Sequence, residues 1–187
     1  EKDLPKGIKF THTAIALYSQ ITLDNGKLAK GYAIYNLYQD SKNKDKSDII
    51  MDYPVDFFWN VDLLKAGIII PDEELQSRLI NAITQGNHKT LHNPKYTLIS
   101  NPYNNQYQNC TEHTLNVINS AIYQTTDMQE IKANTKEFFN AQRVKTSRFK
   151  LALGSVFMDG VKTSDHQGKV KTTTFTSIAR YLKDFSL

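Results

Sequence analysis

A chain of 187 residues has the length of one domain, and 40% apolar residues are enough to bury a core. Its 23 basic residues exceed its 19 acidic ones by a net charge of +4 spread along the chain, so the balance gives no reason to expect a nucleic-acid partner. A single cysteine excludes an internal disulfide, and no apolar run approaches the roughly 18 residues that cross a membrane, so one domain over residues 1–187 without a transmembrane segment is expected.

The chain begins at Glu1 rather than at a methionine, which fits removal of a signal peptide or a trimmed chain. Residues 10–18 form a β-branched, apolar run, and residues 30–38 alternate small or apolar residues with tyrosines. With Asp24-Asn25-Gly26 between them, the two read as a hairpin. Lys42, Lys44 and Lys46 interleave with Asp40, Asp45 and Asp48, the pattern of a solvated loop. Residues 49–51 suit a short strand. Phe57, Phe58, Val61 and Leu64 have helical spacing, so a helix is expected over 55–64, closed by Ala66-Gly67. Residues 66–71, centred on three isoleucines, have strand length.

Pro71 and the acidic Asp72, Glu73 and Glu74 open a helix whose apolar stripe is Leu75, Leu79, Ala82 and Ile83, with Gly86 as its C-cap. Residues 87–94 read as loop, 96–99 as a short strand and 101–105 as a turn-rich approach to the next helix. There Asn109 is an N-cap with Glu112 in position to reach back, and Leu115, Ile118, Ala121 and Ile122 form a buried stripe. Asp127 caps a further helix with Ile131, Phe138 and Phe139 inward. Residues 155–161 and 171–175 give no decided pattern, and Thr176 starts a short terminal helix through Tyr181.

Cys110 therefore lies in the first turn of a helix, facing unpaired N–H groups and the positive end of the helix dipole. That position stabilises a thiolate by roughly 0.3 to 1 kcal/mol, under one pKa unit, so a useful nucleophile also needs a base nearby. Three histidines are candidates: His12 in the first strand, His113 on the same helix face as Cys110, and His166 after Asp165 in a polar loop. His88 and His92 read as loop residues. No pair of histidines has metal-binding helical spacing and there is no second cysteine, so neither zinc nor another metal is expected. The spacing of Gly154, Gly160 and Gly168 matches no phosphate loop, and no cofactor is expected.

The stretches 96–103 (YTLISNPY) and 106–112 (QYQNCTE) resemble the motif of the bacterial DUF2145 family. Phe10-Thr11-His12-Thr13-Ala14, residues 52–58, residues 66–76 and Ser164-Asp165-His166 resemble it in the same order. The order of parts is in turn similar to circularly permuted NlpC-type peptidases of the papain-like class, in which the histidine strand precedes the cysteine helix. That likeness implies an α+β fold, papain-like, with an antiparallel sheet packed against the cysteine helix. It implies Cys110 as nucleophile and His12 as base, with a polar residue on the neighbouring strand to orient the imidazole. Asn36 matches that position, accepting the Nδ1–H as in Cys-His-Asn proteases, with Gln39 as competitor. The Cys110 N–H would be one oxyanion donor, and the side chain of Gln108 or Tyr107 a second.

The expected function is a cell-envelope cysteine hydrolase acting on an amide or ester carbonyl of a peptide, cell-wall or acyl substrate, in an extracytoplasmic, periplasmic setting. Two other readings stand beside it: a lipid-directed acyl hydrolase or acyltransferase, similar to lecithin retinol acyltransferase, and an envelope binding module without catalysis.

Overall fold

A computed structural model describes residues 8–145 and 160–185, apart from residues 24, 60 and 62. The described chain is α+β. Three antiparallel strands in the order β1 (Ile15–Thr22), β2 (Leu28–Gln39) and β3 (Ser47–Asp52) form one sheet. The helices are α1 (Pro54–Phe57), α2 (Glu73–Thr84), α3 (Asn87–Thr90), α4 (Cys110–Tyr123), α5 (Met128–Phe138) and α6 (Phe175–Asp184), and a two-residue pair joins β4 (Gln142–Arg143) to β5 (Lys171–Thr172).

The hairpin forms with Ile15 opposite Tyr35 and Thr22 opposite Leu28. Its first strand begins later than its apolar run predicts, so residues 10–14 lie ahead of the sheet. Gly26, at φ 76°, takes the left-handed turn position, while Asp24 lies outside the described residues. Alternation along β2 turns Tyr35 and Leu37 toward the helices and leaves Asn36 and Tyr38 on the other face.

α2 forms where its signals place it: Asp72 accepts from the Leu75 N–H at 2.7 Å, and Leu75, Leu79, Ala82 and Ile83 are its buried residues. Gly86, at φ 81°, follows the C-cap Gln85 and starts the one-turn α3 inside a stretch read as loop. Residues 96–99 make only an isolated bridge, Tyr96 to Gln108. At the C-terminal end, residues 155–159 lie outside the described residues. The last helix is capped two residues earlier than expected, by a Thr174–Ser177 capping box.

Three expectations fail for packing reasons. The helix over 55–64 shrinks to the single turn of α1, because Val61 and Leu64 stay exposed and a short helix without a packed face does not persist; residues 60 and 62 lie outside the described residues. The isoleucine run pairs with no strand: Ile69 joins the core while Ile68 and Ile70 point outward. Phe138, expected inward on α5, is exposed, whereas Ile131 and Phe139 are buried.

The main core joins α2, α4, α5 and α6 to the inner face of the hairpin through Leu79, Leu115, Ile131, Ile178 and Leu182, with Ile15 and Leu17 against it. α4 runs through the centre, with twelve of its fourteen residues buried, so it has no solvent face to match the single stripe expected. Several of its polar residues find buried partners instead: Asn119 donates to Thr135 Oγ1 at 2.9 Å and accepts from Tyr181 at 3.0 Å. Glu112 does not reach back to the cap. It accepts from Lys132 Nζ at 2.6 Å, and the same ammonium donates to Pro102 O and Asn116 Oδ1, tying α5 to the first turns of α4.

Gly67 serves close approach rather than helix capping. A Cβ there would lie 2.8 Å from ring atoms of both Phe10 and Phe175, whose rings pack edge to face at 4.8 Å and join the segment ahead of β1 to α6. Gly67→Ala is expected to cost about 1 to 3 kcal/mol, as overpacking does, and to lower the thermal midpoint; an unchanged midpoint contradicts that contact.

Candidate active site

The start of α4 is set by Asn109, which is extended and whose Oδ1 accepts from the Glu112 N–H at 2.9 Å. Its Nδ2 donates to Leu98 O at 2.9 Å, and the Thr111 hydroxyl donates to both Asn109 Oδ1 and Thr173 O. The cap is thus bolted to two neighbouring segments, and Cys110 becomes the first residue of the helix. Its side chain, 7% exposed, packs with Leu37 of β2 and with Tyr96.

His12 comes to this thiol from the extended segment three residues ahead of β1, not from within the strand as expected. Other contacts hold its ring there. It stacks on Tyr38 with centroids 4.9 Å apart and planes within 2°, and Phe57 of α1 lies against it at 5.6 Å. Its Nε2 is 3.0 Å from Asn36 Oδ1. Asn36 was expected to take the Nδ1–H; binding Nε2 instead leaves Nδ1 as the nitrogen for Cys110.

Each of the two groups stabilises the charged form of the other. For Cys110, burial pushes the thiol up, but the His12 charge, the His12 hydrogen bond and backbone hydrogen bonds from Thr13 and Thr111 outweigh it, so the thiol is held below its ordinary value. For His12, burial alone would lower the imidazole. The Cys110 thiolate, hydrogen bonds to Cys110 and Asn36, and the charge of Asp52 raise it above the usual histidine value. Shifts in these directions favour charge on both groups, and their titrations belong to the pair rather than to either residue.

The other candidates are elsewhere. His113 is buried behind the helix, and burial with the neighbouring His92 and His88 holds it down at about 3, far too low for a base at neutral pH. His166 donates its Nε2–H to Ile99 O at 2.9 Å, while Asp165 accepts from the Asn101 N–H at 2.7 Å; the pair anchors one loop to another. Gln39 donates to Lys44 O at 2.7 Å, in the loop after β2, and is not on His12.

Nor do the two proposed oxyanion side chains face the thiol. Gln108 is fully buried with its amide committed at both ends, accepting from the Asn93 N–H and donating to Leu91 O. The Tyr107 hydroxyl pairs with Ser164 Oγ at 3.2 Å. The Cys110 N–H remains as a donor of the helix start. Among the described residues no group of three or more metal-ligating side chains is placed to hold an ion, and no helix is long and apolar enough to cross a membrane.

Two residues not foreseen from sequence border the site. Asp52 Oδ2 accepts from Asn36 Nδ2 at 3.1 Å and from the Tyr38 hydroxyl at 2.8 Å. Their partnership arises from strand register, with Asp52 opposite Ile34 and so diagonal to Asn36 on one face. The only sequence signal was an acidic residue closing a short strand.

Among protein families, the model described as an uncharacterized protein conserved in bacteria (DUF2145) matches residues 1–182. No curated protein and no solved structure matches the chain.

Proposed function

Because the chain belongs to the DUF2145 family, its chemistry has to be argued from its own residues, and we propose that it is a cysteine hydrolase of amide or ester bonds. The observation that carries the reading is the Cys110–His12–Asn36 relay, in which a thiol at a helix start meets an imidazole held by an asparagine. The order of the parts, histidine segment before cysteine helix, also supports a permuted papain-like arrangement.

In this reading Cys110 Sγ forms a bond to the substrate carbonyl carbon, and the oxyanion develops against the Cys110 N–H. His12 then gives its proton to the leaving amine or alkoxide as the C–N or C–O bond breaks, leaving a thioester. Water attacks that thioester with His12 as base, releasing the acid and restoring the thiolate–imidazolium pair.

Peptide-like amides are the first substrate class. Acyl esters are the second, favoured by the exposed apolar side chains of Val55, Trp59, Leu64 and Ile68 along the segment that follows Asp52, whose Phe57 touches His12. An activated thioester or ester probe should leave an acyl group on the peptide containing Cys110, detected by mass. Absence of any adduct with both amide-like and acyl probes sinks the hydrolase reading.

His12→Ala should slow alkylation of Cys110 at pH 7 by up to about 30-fold, the limit set by a fully ionised thiol against one with an ordinary cysteine pKa. His113→Ala and His166→Ala should leave the rate near that of the wild type. Equal rates in His12→Ala and the wild type remove His12 from the site.

A further inference from the structure

We propose that Asp52 is a positioning residue for His12, holding both the edge and the face of the imidazole through two side chains bound to one carboxylate oxygen. The proposal rests on the reading of Cys110 and His12 as nucleophile and base. It goes beyond the three-residue relay by assigning what keeps the base aimed.

The edge is held through Asn36. Its Nδ2 donates to Asp52 Oδ2 at 3.1 Å and to Ile34 O at 3.1 Å, two groups that can only accept. The amide is therefore oriented with Oδ1 toward His12, and the 3.0 Å contact is a donation from the His12 Nε2–H. A neutral imidazole protonated on Nε2 carries its lone pair on Nδ1, the nitrogen that must take the thiol proton. Asn36 is 1% exposed, so water does not compete for its amide.

The face is held through Tyr38. Its ring lies parallel to the imidazole at 4.9 Å, and its hydroxyl is fastened to the same Asp52 Oδ2 at 2.8 Å. Swinging His12 away from Cys110 thus gives up its bond to Asn36 and its stacking on Tyr38, two side chains fastened to one carboxylate. The titratable groups around the imidazole are Cys110 of α4, Tyr38 of β2 and Asp52 of β3, with Asp56 of α1 acting on Tyr38 and Cys110 acting on Tyr96. Asp52 is thereby an anion placed behind the cation of the relay, where it also favours the imidazolium.

The test reads the pH dependence of Cys110 alkylation by iodoacetamide in the full chain, together with nitrogen NMR of the His12 ring. Asp52→Ala removes both hydrogen bonds and the charge, Asp52→Asn keeps an acceptor oxygen without charge, and Tyr38→Phe frees the ring while leaving Asn36 held. Asp52→Ala should lose on the order of 10-fold in rate at neutral pH, within the loss expected on removing His12 itself, with smaller losses in the other two. In both Asp52 variants the alkaline limb, where His12 gives up its proton, should move down. Above that limb, where the ring is neutral, Asp52→Ala should also replace the single Nε2–H tautomer by a mixture.

Folded Asp52→Ala and Asp52→Asn proteins whose profiles superimpose on the wild type overturn the proposal, since a merely structural carboxylate would change the melting temperature alone. If Asp52→Ala does not fold, Asp52→Asn decides by the same limb: lowered, it supports the assignment; unmoved, it overturns it. A wild-type thiol that titrates as an ordinary cysteine sinks the hydrolase reading instead. The tautomer of His12 in the Asp52 variants then still decides whether Asp52 holds the ring.

Discussion

Cys110→Ser is expected to abolish turnover of an activated ester or thioester probe, a loss of at least about 1,000-fold, while leaving the melting temperature almost unchanged. A hydroxyl held by the same imidazole ionises far less readily than a thiol, so the nearly isosteric change removes the nucleophile without removing its volume. Its burial sharpens the test. Cys110 packs among Leu37, Tyr96, Ile49 and Leu98, and a serine placed there without a partner would cost about 1 to 3 kcal/mol. With His12 beside it, the serine hydroxyl inherits a hydrogen-bond acceptor and that penalty is not felt. The two readings therefore predict opposite patterns. A serine variant that melts several degrees lower yet keeps whatever activity the wild type shows would falsify the nucleophile and leave a packed thiol.

The second large effect concerns stability in acid and comes from histidines outside the relay. His113 is held at about 3 in the folded protein by burial first and then by His92 and His88. In the unfolded chain it titrates near its ordinary value, about 6.5. Below that value the unfolded state takes up a proton that the folded state refuses, so stability is complete above about pH 6.5 and falls as the pH drops toward 3. From pH 7 to pH 4 the loss from His113 alone is about 3 kcal/mol.

His88 and His92 are also lowered, by burial above all, and act in the same direction. Glu112 acts oppositely: burial raises it despite Lys132, and a raised carboxyl favours the folded state as the pH falls. His113→Leu isolates the effect, because the other groups remain in both proteins and the His113 Nδ1 has no partner to lose. Urea unfolding at pH 7 and pH 4 should show the wild type losing about 3 kcal/mol more than the variant. Identical losses would remove His113 as the cause.

The helices that carry their own end signals were legible in the sequence. Asp72, Asn109 and Asp127 each cap the helix expected of them, because an N-cap acts within four residues and needs no distant partner. Cys110 at the first position of α4 follows from that local chemistry. The residues alone left His12 as one of three histidines, and Asn36 was reached through a likeness in the order of parts; in the structure His12 acts on Cys110 and its Nε2 lies 3.0 Å from Asn36 Oδ1.

What could not be read was decided by contacts between distant residues. The convergence of Asn36, Tyr38 and Asp52 depends on the register of β2 against β3. The grouping of His88, His92 and His113 depends on how α3 lies on α4. Glu112 has the spacing of a capping box, but Lys132, twenty residues away, offers it a buried charge, and a buried carboxylate takes the cation. Gln108 looked available for an oxyanion until the loop at residues 91–93 closed on both ends of its amide.

The enclosure of α4 has a further consequence for how the site fails. Amide hydrogen exchange along a helix buried on every side reports global opening, so Cys110 rides on the most persistent unit of the fold. His12 does not. His12 precedes β1, an edge strand paired on one side only, and its segment is fastened to the body by Phe10 against Phe175. Edge segments of this kind open locally at lower free energy than central helices. The imidazole is thus released while the thiol is still in place, and activation of Cys110 disappears in a population of molecules whose helical signal is intact.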